Sequence, residues 1–114
     1  MTQVTELSDR QLEAYNRGDV EAFCACYHPQ VTVLDERGEV TREGMANFRE
    51  SYARMFKECS EVRATITERV ALGDHVVELE SWSRRGSEGE LQEGRVIVRY
   101  TECDGLVRWV QFLS

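Results

Sequence analysis

The chain has 114 residues, 41% hydrophobic and 31% charged, which sets one domain over 1–114, with a real core and no room for a second. Its 14 basic and 21 acidic residues leave a net charge of -7, which argues against nucleic acid or an anionic membrane as main partner, because phosphate binding is largely electrostatic. A single proline and no Ser/Gly-rich tract exclude a linker, and no stretch approaches the ~18 apolar residues of a membrane helix. The polar start MTQVTELSDRQLEAY carries no signal-type apolar run, so a cytoplasmic setting is expected.

From about Thr2 to Arg17 the apolar residues Val4, Leu7, Ala14 and Tyr15 recur at helical spacing. Gln11 falls inside that stripe. It lies either at a solvated edge, which the periodicity favours, or against something polar in the interior. Gly18 suits the left-handed end of this helix. Asp19 is an N-cap for a second helix, whose buried face is Val20, Phe23, Cys24 and Tyr27, closed by His28-Pro29.

The run VTVLD predicts a strand ending at Asp35, and Asp35-Glu36-Arg37-Gly38 predicts a turn, with a brief strand at Glu39-Val40. Thr41 is the expected N-cap of a third helix, whose stripe is Met45, Phe48, Tyr52, Met55 and Phe56. From Glu61 the apolar period becomes two, with Val62, Ala64, Ile66, Val70 and Leu72 on one parity. Glu68 breaks that parity, through a bulge or an inward carboxylate; the bulge is the favoured reading. Further strands are expected at His75–Arg85, 91–102 and 106–113, joined at Gly86–Gly89 and Asp104-Gly105.

Three helices followed by an antiparallel meander predict an α+β layer fold, with the helices on one face of the sheet. Strand parity groups Ile97, Val110 and Phe112 on one face, and Val96, Val98, Tyr100, Val107, Trp109 and Leu113 on the other. Apolar residues on both faces predict a cover for the second one, most simply a homodimer through the sheet.

No cofactor motif is present. Cys24 and Cys26 are two apart on a helix and cannot clamp one ion, and His28 and His75 sit in no ligand spacing, so no metal is expected. The four cysteines are expected as thiols, with Cys24 a small core residue.

Tyr15-Asn16-x-Gly18-Asp19, His28-Pro29 before VTVLD, Asp35-x-x-Gly38, the stretch TREGM, and Asp104-Gly105-Leu106-Val107-x-x-x-Gln111-Phe112 occur in an order that resembles the NTF2-like superfamily. The likeness is to its SnoaL-like and ketosteroid-isomerase-like bacterial members, and it covers nearly the whole chain. It implies a cystatin-like cone, in which three N-terminal helices pack in a strongly curved antiparallel sheet around an apolar pocket. It also implies proton-transfer chemistry (isomerisation, cyclisation or hydrolysis) on a small apolar molecule, or a non-catalytic dimeric module that binds a ligand or a protein.

Ketosteroid isomerase pairs an aspartate base with an oxyanion hole of tyrosine and protonated aspartic acid. By the resemblance, the base position falls on Asp35, the tyrosine position on Gln11 and the second acid on Ile97. Gln11 could donate an amide hydrogen bond; Ile97 can donate nothing. Phe48, Tyr52, Met55 and Phe56 would wall the pocket, with Ile97, Val110 and Phe112 from the sheet. Arg95 and Arg99 share the parity of Ile97. Facing inward they would form a cationic wall opposite Asp35; towards the rim they would pair with Glu78, Glu80 or Glu93.

Overall fold

A computed structural model of the chain describes residues 3–114. Among them lie three helices, α1 (Gln3–Arg17), α2 (Val20–Cys24) and α3 (Met45–Glu58). Six strands complete the fold: β1 (Tyr27–Leu34), β2 (Val40–Glu43), β3 (Ser60–Leu72), β4 (His75–Arg85), β5 (Leu91–Cys103) and β6 (Leu106–Phe112). The expected helix start at Thr2 lies outside the described residues. The strands form one sheet in the order β2-β1-β6-β5-β4-β3. All neighbours are antiparallel except β1 and β6, which run parallel, so the sheet is not the pure meander expected. α3 touches β2 at one edge and β3 at the other, so the sheet curls round the helices.

α1 ends as its residues predict. Gly18 takes φ +70, its N–H donates to Tyr15 O, and the Asp19 side chain accepts from Ala22 N at 3.0 Å. α2 is shorter than the stripe predicts. It stops at Cys24 because Val107 N donates to Cys26 O at 3.0 Å, drawing the chain into the ladder, and Tyr27 opens β1 beside Val107. Strand pairing thus overrides a helical period. Tyr27 is still buried, and Pro29, which has no N–H to give, falls where the β1–β6 register slips.

Thr41 is not a helix cap either. It sits in β2, where its hydroxyl donates to Val33 O. Gly44, at φ +86, takes the cap position, and its N–H donates to Val31 O at 2.8 Å, fastening the start of α3 to β1.

The sheet faces also differ from the parity reading. Val98 lies opposite Phe112 and Tyr100 opposite Val110, so these residues share the inner face, and Ile97 points away from them. A register slip between Thr101 and Glu102 separates Val107, buried, from Trp109, exposed, although both carry the same parity. In β3 the register slips between Ile66 and Glu68, as the bulge reading expects. That slip moves Val70 and Leu72 to the outer face, where they are 73% and 81% exposed.

The core joins Val4, Leu7 and Ala14 of α1 to Val31, Val76, Val98, Val107 and Val110 of the sheet. Phe23 occupies its centre: it stacks parallel on Phe48 at 5.8 Å and meets Tyr52 at 4.6 Å and Tyr27 at 5.0 Å. No helix among the described residues is long and apolar enough to cross a membrane.

Candidate functional site

Curling the sheet round α1 and α3 leaves a cavity of about 440 Å³. Phe23, Tyr100 and Gln11 are its buried lining; Tyr15, Tyr52, Met55, Trp82, Val96 and Phe112 add further aromatic and apolar surface. The exposed Arg54 and Glu58 mark its rim. Three charged side chains from the strands enter the wall: Arg42 of β2, and Glu80 and Arg84 of β4.

Glu80 is there because of register. On β4, Val76, Glu78, Glu80 and Trp82 lie opposite Tyr100, Val98, Val96 and Gly94 of β5, all on the inner face. Two carboxylates therefore enter the interior side by side, and their surroundings divide their roles. Glu78 has no exposure. It accepts the Ser8 hydroxyl at 2.7 and 2.8 Å and Arg69 Nε at 2.6 Å, while Arg69 also reaches Asp9 at 2.7 Å. Glu80 accepts no hydrogen bond among the described residues and faces the cavity. Burial, and then the charge of Glu78, push its carboxyl up from the ordinary 4.5 to about 7.

Behind the cavity runs a satisfied polar chain. The Tyr100 hydroxyl is hydrogen-bonded to Tyr27, Tyr27 donates to Gln11 Oε1 at 2.8 Å, and Gln11 Nε2 donates to Ser8 O at 3.1 Å. Gln11 is thus buried rather than at the solvated edge, and its position in the stripe is explained by its phenol partner. The Tyr15 and Tyr52 hydroxyls carry no such bond among the described residues. Burial raises both above the ordinary value, Tyr15 to about 12, so each keeps its proton and can donate to a bound molecule.

The other residues singled out by the sequence are dispersed. Gln11, Tyr52, Met55 and Phe112 line the cavity. Phe48 and Val110 are packed in the core, and Phe56 lies against Tyr15 at 5.4 Å, none of them on the cavity lining. Asp35 forms the turn after β1: its Oδ1 accepts Arg37 N at 2.9 Å and Glu39 N at 3.0 Å, and it does not line the cavity. Register puts Ile97, expected on the pocket side, on the outer face opposite Leu79, and with it Arg95 and Arg99, opposite Ser81 and Val77, so the inward alternative for the two arginines does not occur. Neither arginine forms an ion pair with Glu78, Glu80 or Glu93; Glu78 takes Arg69 instead.

Sequence reasoning passed over Glu80, Arg84, Arg42 and Tyr15 as site residues. Glu78-x-Glu80-x-Trp82 was a readable signal, but the alternate set Val77, Leu79 is the more apolar and masks which face turns inward.

A family model described as "SnoaL-like domain" matches residues 9–110. No curated protein matches the chain. Among solved structures it is similar to an uncharacterised cystatin-fold protein from Novosphingobium aromaticivorans, at 23% identity and a TM-score of 0.88, covering 100% of this chain and 99% of that one. It is also similar to a Δ5-3-ketosteroid isomerase from Mycobacterium sp., at 16% identity and a TM-score of 0.85, covering 98% and 92%. A computationally designed 17-OHP binder matches at 13% identity and a TM-score of 0.87, again covering 98% and 92%. At these identities the likeness is one of fold.

Proposed function

The chain belongs to the SnoaL-like domain family, and from that premise we propose that it binds a small, largely apolar molecule in the cavity and moves a proton on it with Glu80. The observation that carries this reading is one carboxyl without a hydrogen-bond partner, set among aromatic walls and titrating near neutrality. Such a group holds a proton in one half of a cycle and releases it in the other. Tyr15 and Tyr52 are the donors for a developing oxyanion, in place of the partners that Gln11 and Ile97 do not supply. The shared fold of a ketosteroid isomerase and of a designed 17-OHP binder is in keeping with a small-molecule cavity. In this reading Asp35, which the resemblance puts in the base position, keeps the turn after β1.

The test uses 5-nitrobenzisoxazole, which opens to a cyanophenolate when a base removes the C3 proton and the N–O bond breaks. The wild type should accelerate this reaction, with a rate that rises as pH passes about 7. Glu80→Gln should lose on the order of a hundredfold, the range of a positioned general base, while Asp35→Asn keeps the rate. Loss in Asp35→Asn alone would return the base role to Asp35. A wild type no faster than buffer would leave the non-catalytic binding module as the reading.

The proposal includes a second copy of the chain on the outer face of the sheet. Ile97, Trp109 and Leu113 are 38%, 37% and 39% exposed there, with Leu113 N donating to Ile97 O. Arg99 Nε, on the same face, is buried without a hydrogen-bond partner. A cytoplasmic setting completes it, supported by the four unpaired cysteines.

A further inference from the structure

In a chain with 14 basic and 21 acidic residues, a guanidinium has carboxylates to choose from, and Arg17, Arg49, Arg54, Arg69 and Arg85 each pair with at least one. Arg10, Arg42, Arg63, Arg84, Arg95, Arg99 and Arg108 form no ion pair among the described residues, and of these Arg42 and Arg84 line the cavity. Arg42, half-buried on β2, makes no hydrogen bond or ion pair among the described residues. Arg84, half-buried on β4, gives only its Nε, to the neutral acceptor Gln92 Oε1 at 2.8 Å. Its two Nη groups have no hydrogen-bond partner among the described residues.

Arg84 is also held in place. Its Cζ lies 5.2 Å from the centroid of the Trp82 ring, a cation–π contact. Trp82 in turn lies against Gly94, its neighbour across the ladder: a Cβ there would come within 3.0 Å of Trp82 Cζ2 and 3.2 Å of Nε1. The missing methyl lets the indole sit close to β5, which fixes the surface on which the guanidinium rests. A half-buried guanidinium fixed through Nε and one π-face, with its terminal donors free among the described residues, is preorganised for a planar oxyanion.

We infer that the ligand of this cavity carries a carboxylate, whose oxygens take the free Nη donors of Arg84, while its ring or chain fills the aromatic interior and Arg42 adds charge from the other end of the sheet. The inference rests on the reading of the cavity as a small-molecule site and adds the charge and orientation of its occupant. The carboxylate end lies at Arg84, four residues along β4 from Glu80, so the reacting carbon and the anchoring charge sit at different places on the ligand.

Titration calorimetry with 2-naphthoate and with its neutral isostere 2-naphthamide tests it on the full chain at pH 6. The acid should bind at least tenfold more tightly than the amide, and its affinity should fall between low and high salt. Arg84→Gln should remove most of that preference, with an unchanged far-ultraviolet circular dichroism spectrum and thermal midpoint showing that the variant is folded. Equal binding of acid and amide by the wild type overturns the carboxylate inference and leaves the pocket reading standing. A preference for the acid that survives both Arg84→Gln and Arg42→Gln overturns the assignment to these arginines. Binding of neither probe overturns both.

Discussion

Arg69 holds the carboxylate of Glu78 from the edge strand of the sheet, with Nε 2.6 Å from Oε2, and Glu78 has no solvent exposure at all. The charge is completed by Ser8 from α1, so helix and sheet are joined through one buried anion. Removing the cation leaves that anion unpaired. Arg69→Met should destabilise the fold by about 3–5 kcal/mol, read from the urea midpoint. A loss near that of an ordinary surface arginine would show that the pair does not hold α1 to the sheet.

The pH dependence of stability should contain a contribution from Glu80. Burial and the adjacent Glu78 charge raise its folded-state value to about 7. The folded protein therefore binds more protons here than the unfolded chain between about 4.5 and 7, and stability falls as pH rises through that window. Tyr15, Tyr52 and Tyr100 face the same carboxyl and stay protonated throughout, and the Arg84 side chain lines the same cavity. Glu80→Gln removes the dependence. Its stability relative to wild type should increase by up to about 3 kcal/mol between pH 4.5 and 8, measured by denaturation at several pH values. A difference that is flat with pH would place an ordinary, solvated carboxylate at this position.

Gly94→Ala should push Trp82 away from β5. The added carbon lies within 3.2 Å of three indole atoms, and overpacking of this kind costs about 1–3 kcal/mol. The indole also lines the cavity, so thermal unfolding and the tryptophan emission should change together. An unchanged emission with full stability would mean that the indole has room to move elsewhere.

Ile97→Glu should keep the cavity and abolish self-association. Light scattering on the wild type should give twice the chain mass, and on the variant the mass of one chain. A monomeric wild type would remove the second copy from the outer face.

Local chemistry was readable from the residues and long-range register was not. Gly18-Asp19 and Asp104-Gly105 mark boundaries through their own conformational preferences, and these lie where the sequence puts them. Tyr27 fits a helical stripe as well as a strand, and only its pairing with Val107 from the far end of the chain decides between them. The face of a strand residue depends on bulges; the parity break at Glu68 betrays the one in β3, but which residues it turns outward, and the slip between β5 and β6, depend on the partner strand. That is why Val70, Leu72 and Trp109 emerge on the outside, whereas Glu80 is masked by the more apolar alternate set Val77 and Leu79.

The parallel pairing of β1 with β6 places the first and last of the described strands side by side inside the sheet, one strand in from the β2 edge. Neither half of the sheet can complete its hydrogen-bond ladder until the C-terminal residues are available, because β1 would otherwise be an open edge. A protein built this way closes its longest loop last, so folding should be slower than for a helical chain of the same length. During synthesis the helices and β1–β2 must wait, partly exposed, for β6 to leave the ribosome. Deletion of the final strand would leave two unpaired edges inside the sheet rather than a shortened version of it.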